Sequence, residues 1–553
     1  MSVFAASMSA QRGNNIDARK LQLALYAISN LYVDSTSETK LVEDAIVGML
    51  EKLDPHSTYT DPEETKEMTE PLQGNFDGIG IQFNMLTDTL YVIQVIPGGP
   101  SEKVGLMAGD RIIMVDDTLI AGVKMKNTDV MKRLRGPKNT EVRVKVLRGG
   151  VPDLIEFKIT RGKIPVYSLD AAYMADKATG YIKLNRFAAS SADEFREALE
   201  KLKKQGMKNL ILDLQGNGGG YLNIAIDLAD EFLGKDKLIV YTEGNKQPRE
   251  EAKSSARGGF EEGRLVVLVD ETSASASEIL SGAVQDWDRG VVVGRRTFGK
   301  GLVQKPIPMP DGSMIRLTVA RYYTPTGRSI QKPYVNGNQE QYNHDLIDRY
   351  NRGELMSADS IHFPDSMKYN TLETKRIVYG GGGIMPDIFI PRDTSGVTSY
   401  FSNVVNSGML NLYALEYSDR NYDKLASFKT YQDLHKYLQQ QPLLSDFTNY
   451  AAAKGIKKRP HLINISGKLI EKQIQAYIVR NFFDEAGFYP IFQNDDITLK
   501  RAVKVLNEGK SFPTLENKNN TPNGIAQSQT NASRGYGFLK EIIYEDYIAG
   551  SLC

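Results

Sequence analysis

Two short apolar runs constrain this chain more than anything else in it. Asn209 to Leu214 (NLILDL) and Leu265 to Val269 (LVVLV) each stop at a polar turn and are followed by a helical pattern. Runs this short, apolar at successive positions, read as strands covered on both faces. A strand covered on both faces that feeds a helix belongs to a sheet with helices packed against it. Neighbouring segments fit the same scheme: strands at Gly180 to Leu184, Val291 to Gly294 and Ile315 to Tyr323, and helices at Ala192 to Lys203 and Ile224 to Phe232. The expectation is an α/β core. Such sheets bind ligands beyond their strand C-termini. The turns at those ends read QGNGGG (215–220) and DETSAS (270–275).

The second turn opens the stretch Asp270 to Gln304, which holds Ser275 and Lys300. A serine hydroxyl is a weak nucleophile unless a proton acceptor lies within hydrogen-bond reach. A desolvated lysine can be that acceptor, because burial without a counter-charge pulls its pKa down toward neutrality. Ser275-x-x-Glu278 ahead of Ile279, Leu280, Ala283, Val284 and Trp287 is also a good capping box for an amphipathic helix. Both readings stand together, since a helix N-terminus offers free N–H groups to an oxyanion. Gly218, Gly219 and Gly220 match neither a P-loop nor a dinucleotide fingerprint. They fit a turn presenting bare N–H groups, or a flexible strand-to-helix connection.

The 68 basic and 68 acidic residues cancel, so charge gives no footprint for nucleic acid or a polybasic membrane anchor. Five scattered histidines form no metal-ligand cluster, and the single cysteine, Cys553, gives no disulfide framework. Neither metal nor cofactor is expected. Met1 to Ala10, MSVFAASMSA, resembles the end of a signal peptide with its small-residue cleavage site. Export to a bacterial periplasm is the corresponding expectation.

Residues 11–72 read as helical, with one stripe at Leu21, Leu25, Ile28 and Tyr32, another at Val42, Ile46, Met49 and Leu53, and a turn near Ser35 to Ser37. LDPHSTYTDPEE (53–64) then breaks helicity at its prolines. His56 there is a candidate base, though its Pro, Ser and Asp neighbours favour a hydrogen-bonded turn. Residues 73–161 turn to short strands at Gly80 to Phe83, Leu90 to Val95, Arg111 to Val115 and Glu141 to Leu147. FDGIGIQF (76–83), followed by Gly105-x-x-x-Gly-Asp-Arg-Ile112, resembles a PDZ domain. Gly78, Ile79, Gly80 and Ile81 occupy the place where that fold captures a terminal carboxylate while the peptide adds an edge strand. Residues 162–335 and 376–395 form the core, and 336–375 an irregular insertion. Tyr379 to Ile390 reads as a last strand returning to the sheet. Residues 396–512 read as helical, with Ser466 capping the stripe at Ile470, Ile474, Tyr477 and Ile478, and 513–553 as a polar, disordered tail.

LDPHSTY (53–59), the PDZ-like segment, LDLQGNGGG (212–220), SASASE (273–278) and FGKGLVQ (298–304) together resemble the bacterial carboxyl-terminal processing peptidases, or tail-specific proteases, over roughly residues 20–395. The resemblance implies an α/β core of crotonase/ClpP-like type with an inserted PDZ domain and helical N- and C-terminal regions. It implies a serine endopeptidase with Ser275 as nucleophile, Lys300 as general base and Gln304 orienting the lysine. Gly219 and Ala276 N–H groups would form the oxyanion hole, with Gly220 as the alternative to Gly219. Asp286 matches an acidic position linked to activity in some members, and a structural role is expected of it here. Gln215 and Gly218 depart from the Arg and Pro usual in the family. Proteins or peptides with free C-termini are the implied substrates, and helical extensions suggest a homodimer. The other class of function is a non-catalytic peptide-binding scaffold of the same fold.

Overall fold

The computed structural model describes residues 16–508 except 87. The signal-peptide reading of residues 1–10 and the tail at 513–553 lie outside the described residues.

The two apolar runs are adjacent parallel strands of one sheet. Its order is Leu169–Met174, Thr179–Leu184, Asn209–Asp213, Arg264–Val269, Val291–Gly294 and Ile388–Phe389. The first pair is antiparallel and the rest parallel. Side chains alternate as strand geometry dictates. Leu210, Leu212, Leu265, Val267 and Val269 enter a core shared with the helices Ser191–Lys204, Leu222–Asp230 and Ala276–Asp286. Ile211, Val266 and Leu268 face the other way, onto Ala502 and Leu506 of the helix Ile497–Asn507. The C-terminal region therefore supplies the second cover that the continuous apolar runs require.

A second, antiparallel sheet forms the wall beside the Ser275 helix. Its longest strand, Met314–Tyr323, pairs with Thr58–Thr60, Leu302–Pro308 and Leu238–Gly244, the last joined to Gln247–Lys253. The PDZ-like segment is a separate sheet in the order Ile81–Leu86, Thr89–Val95, Arg111–Val115, Glu141–Leu147 and Ile155–Thr160, with the helix Asn127–Leu134. It has its own core around Leu90, Val92, Ile112, Val144 and Ile159. Ile81–Leu86 is its edge strand, and the ribbon of Asn75–Gly78 against Gly162–Pro165 leads into and out of it.

Several expectations need correction. The insertion carries a helix, Gln339–Asn351, because Asn338 accepts from Gln341 N–H and caps it. The run Tyr379 to Ile390 is two short strands in different sheets, Ile377–Tyr379 and Ile388–Phe389. Gly381 (φ 76°) and Gly383 (φ 87°) take backbone angles no strand sustains. Ser466 caps nothing: it lies inside the helix Pro460–Phe492, bonded to Thr398 Oγ1 at 2.7 Å. That helix bends at Asp484, whose φ of 50° and ψ of −156° are non-helical, and Asp484 Oδ1 accepts from Gln94 Nε2 of the PDZ-like sheet at 3.0 Å. The N-terminal helices Ile16–Leu31 and Glu38–Leu50 form as expected, but no residue of the first is buried, and Leu21, Ile28 and Tyr32 of its stripe are exposed.

Candidate active site

Ser275 stands where the strand Arg264–Val269 has ended and the helix Ala276–Asp286 begins. Ser273 ties this turn to the neighbouring strand end by donating Oγ to Leu214 O at 2.8 Å. Ser275 itself has φ 57° and ψ −112°, a region a non-glycine residue enters only at a cost of about 1–3 kcal/mol. An ordinary N-cap serine is extended and bonds the helix through its side chain. Here Glu278 N–H bonds the Ser275 carbonyl oxygen (2.9 Å), while Ser275 N–H donates to Glu278 Oε2 (2.8 Å). Every residue from Ser273 to Asp286 is buried except Ser275. The strained turn thus presents one hydroxyl to solvent from an otherwise buried segment.

Glu278 is the residue that local sequence could not reveal as more than a capping partner. Its side chain is fully buried, and its two oxygens accept four hydrogen bonds: Thr297 Oγ1 (2.5 Å), Gly299 N–H (2.7 Å), Lys300 N–H (2.9 Å) and Ser275 N–H (2.8 Å). Burial pushes its carboxyl up to about 7, against the pull of those donors. One carboxylate therefore fixes the backbone at Ser275 and at Lys300 together. Tyr322 does so again, its hydroxyl directed at the carbonyl oxygens of Lys300 and Ser275.

Lys300 Nζ donates to Gln304 Oε1 at 2.9 Å, and Gln304 Nε2 donates to the His56 carbonyl oxygen. Burial, and then the charge of Arg316, lowers the Lys300 amine to about 8, while Glu278 and Asp54 oppose the shift. Among the described residues no ion pair joins Lys300 to a carboxylate, and no hydrogen bond links its Nζ to Ser275 Oγ. His56 lies in the hydrogen-bonded turn expected of it, with Asp54 Oδ1 accepting the amides of His56 and Ser57. Its ring contacts the Tyr342 hydroxyl at 2.8 Å, and burial followed by the Lys300 charge lowers it to about 3, so it is neutral at physiological pH.

The glycine turn is held rather than loose. A Cβ on Gly219 (φ 107°) would lie 2.8 Å from Ser275 Cβ and 3.1 Å from Ala276 N, and one on Gly220 would lie 2.2 Å from Phe187 O. Only glycine fits at these two positions. Gly219 N–H donates to Asn217 Oδ1 at 2.8 Å. Asn217 is a second residue sequence reasoning missed. It donates Nδ2 to Leu184 O, and its carbonyl accepts from Ala274 N–H and Ser277 Oγ, joining the sheet end to the Ser275 turn. Asp286 is paired with Arg328 at 2.7 Å, both fully buried, and lies at the far end of the helix that Ser275 precedes. Gly78, Ile79, Gly80 and Ile81 are buried and run from the end of the ribbon strand Asn75–Gly78 to the first residue of the PDZ-like edge strand Ile81–Leu86. The carbonyls of Ile79 and Gly80 are committed to Ser101 and Ile96. Among the described residues no group of three His, Cys, Asp or Glu is arranged to hold a metal ion.

Four profiles match this architecture: peptidase family S41 over residues 178–340, a PDZ domain over 78–159, the activating protease CtpB N-terminal domain over 3–65, and a family of unknown function over 400–484. The carboxy-terminal-processing protease of Bartonella bacilliformis is 38% identical over 306 residues, covering 54% of this chain and 69% of that one. The carboxy-terminal processing protease CtpB of Bacillus subtilis is 35% identical over 336 residues, 59% of this chain and 68% of that one. Among solved structures, the photosystem II D1 C-terminal processing protease matches at 30% identity with a TM-score of 0.32, over 56% of this chain and 89% of that one. The α/β core with its PDZ domain thus defines a peptidase of the S41 class. More particularly, the chain belongs to the carboxy-terminal processing protease family.

Proposed function

We propose that this protein is a serine endopeptidase in which Ser275 is the nucleophile and Lys300 the general base, acting on proteins whose free C-termini its PDZ domain captures. The observation that carries the reading is Lys300 itself, a partly buried amine with no carboxylate partner among the described residues, lowered to about 8 by burial and the Arg316 charge and tied to Ser275 through Glu278. Such a lysine is available as a neutral base. With one N–H donated to Gln304, its lone pair takes the Ser275 proton as the oxygen attacks a peptide carbonyl. The gap between Nζ and Oγ closes on substrate binding, as catalytic contacts in unliganded sites commonly do. The oxyanion forms beside Ala276 N–H and the glycine turn. Gly219 is the second donor if it releases Asn217, and Gly220 if it does not. Lys300 then returns the proton to the leaving amine and activates water to release the acyl-enzyme.

An extended tail would join Ile81–Leu86 as an added strand, with its carboxylate at residues 78–81. That route favours unstructured C-termini. The exposed stripe on Ile16–Leu31 supports a homodimer, and the N-terminal sequence supports a periplasmic location. Turnover of an unstructured protein should fall at least ~10³-fold in both Ser275→Ala and Lys300→Ala. Equal turnover in the three proteins would sink the assignment. Amidating the substrate's C-terminus should weaken binding, and unchanged affinity would remove the tail-capture claim.

A further inference from the structure

The strand Met314–Tyr323 has a register shift against Leu302–Pro308 between Thr318 and Ala320, so alternation places Arg316 and Thr318 on one face and Tyr322 beyond the shift. Tyr322 donates its hydroxyl to the Lys300 carbonyl, Thr318 Oγ1 donates to Asp54 at 2.8 Å, and Arg316 Nη2 donates to Gln304 Oε1 at 2.8 Å. The amide oxygen that receives Arg316 is the one that receives Lys300 Nζ at 2.9 Å. Two cationic groups therefore converge on a single neutral acceptor. Arg316 is partly buried, and among the described residues its partners are Gln304 Oε1 and Met68 Sδ, with no carboxylate. Buried charges are normally paired, so this guanidinium needs an explanation.

We propose that Arg316 is a positioning residue for the proteolytic reaction: it holds Gln304 in place and, by its fixed positive charge, disfavours the ammonium form of Lys300, making the neutral amine more available as base. This rests on the reading of Lys300 as the base. The repulsion between the two groups can be relieved only at Lys300, because a guanidinium keeps its proton at every pH a protein tolerates. A second cation beside a catalytic amine is an effective way to lower its pKa. The Arg316 charge is also the leading electrostatic influence lowering Lys300, after burial. The other groups facing Lys300 are accounted for. Glu278, from the Ser275 helix, favours the ammonium, but its carboxylate is spread over four hydrogen bonds. Asp54, from the N-terminal loop, also favours the ammonium, but it accepts from Ser57 Oγ at 2.5 Å and from Thr318. His56 is neutral near pH 7. Among the described groups acting on Lys300, Arg316 is the cation that opposes the two carboxylates.

The experiment is the pH profile of kcat/KM for wild type, Arg316→Gln, Arg316→Met and Arg316→Lys on an unstructured protein substrate. It is paired with pH-dependent competitive amine labelling of Lys300, read by mass spectrometry. Removing the charge should move the acid limb upward by about one pH unit, with the Lys300 labelling curve moving alongside. The lysine variant should restore the limb's position while turning over more slowly at the plateau, since it keeps the charge and loses the planar donor. Arg316→Met retains an apolar stem beside Met68, and so reports on charge if the glutamine variant does not fold. A limb and a labelling curve that stay in place in both neutral variants, with a uniform fall in rate, would overturn the proposal. So would a lysine variant whose limb shifts as far as the neutral ones. If Lys300→Ala keeps its turnover, the base assignment is what fails, and the labelling curve still reports whether Arg316 controls the amine.

Discussion

The Ser275 site and the PDZ domain are fixed to the molecule by different kinds of contact. Around Ser275 the ties are buried and many: four donors on Glu278, a hydroxyl directed at two carbonyls, and an Asp286–Arg328 pair with no exposure at all. The PDZ domain is held through a two-strand ribbon and side-chain bridges nearer water. They include Arg135 to Glu70 (2.7 Å), Lys132 to Glu63 (2.7 Å) and Gln94 to Asp484 (3.0 Å), and Tyr91 packs against the C-terminal helical core. Buried polar groups cost a great deal to disturb, whereas exposed ion pairs contribute little. The Ser275 turn is therefore tied by many buried groups, and the PDZ domain by fewer and more exposed ones.

Substitutions can break this contrast, and the largest effect is expected at Asp286. Asp286→Ala leaves Arg328 buried beside Gln285 and the Tyr379 carbonyl without its counter-ion. Chemical denaturation should show a loss of about 3–5 kcal/mol. A loss below about 1 kcal/mol would mean the helix is not held as described. A middle-sized effect concerns His56, lowered to about 3 in the fold from an ordinary 6.5. The unfolded chain binds this proton first, so the stabilisation is complete above pH 6.5 and is lost as pH falls toward 3. Comparing His56→Gln with wild type should show a shallower acid loss in the variant, by up to about 1.4 kcal/mol per pH unit. Parallel acid curves would contradict a neutral buried ring. The smallest effect belongs to the PDZ attachment: Glu63→Ala should change stability by less than about 1 kcal/mol, because both partners are more than half exposed. A larger loss would erase the distinction between the two regions.

Local patterning made the parallel sheet legible, since apolar runs ending at glycine and serine turns leave few alternatives. It carried Ser275 as a helix start and, through resemblance, Lys300 and Gln304 as its companions. What it missed is contact between distant segments. Glu278 satisfied a capping pattern, and nothing nearby signals that Thr297, Gly299 and Lys300 would share its carboxylate. Arg316 sits in a strand whose alternation is broken by a register shift between Thr318 and Ala320 that sequence periodicity does not reveal. The run Tyr379 to Ile390 reads as continuous from its apolar ends, and the positive φ angles of Gly381 and Gly383 that break it are set by the fold. Ser466 passed as a cap because its partner, Thr398, lies in another helix's N-terminal turn.

Strand Met314–Tyr323 has a further consequence. At one end Arg316 is paired with Thr58, just past the N-terminal helices; at the other, Tyr322 meets the carbonyls of Ser275 and Lys300. One strand therefore carries both the pairing with the N-terminal segment and the bonds to the backbone at Ser275 and Lys300, with a register shift between Thr318 and Ala320 separating its two ends.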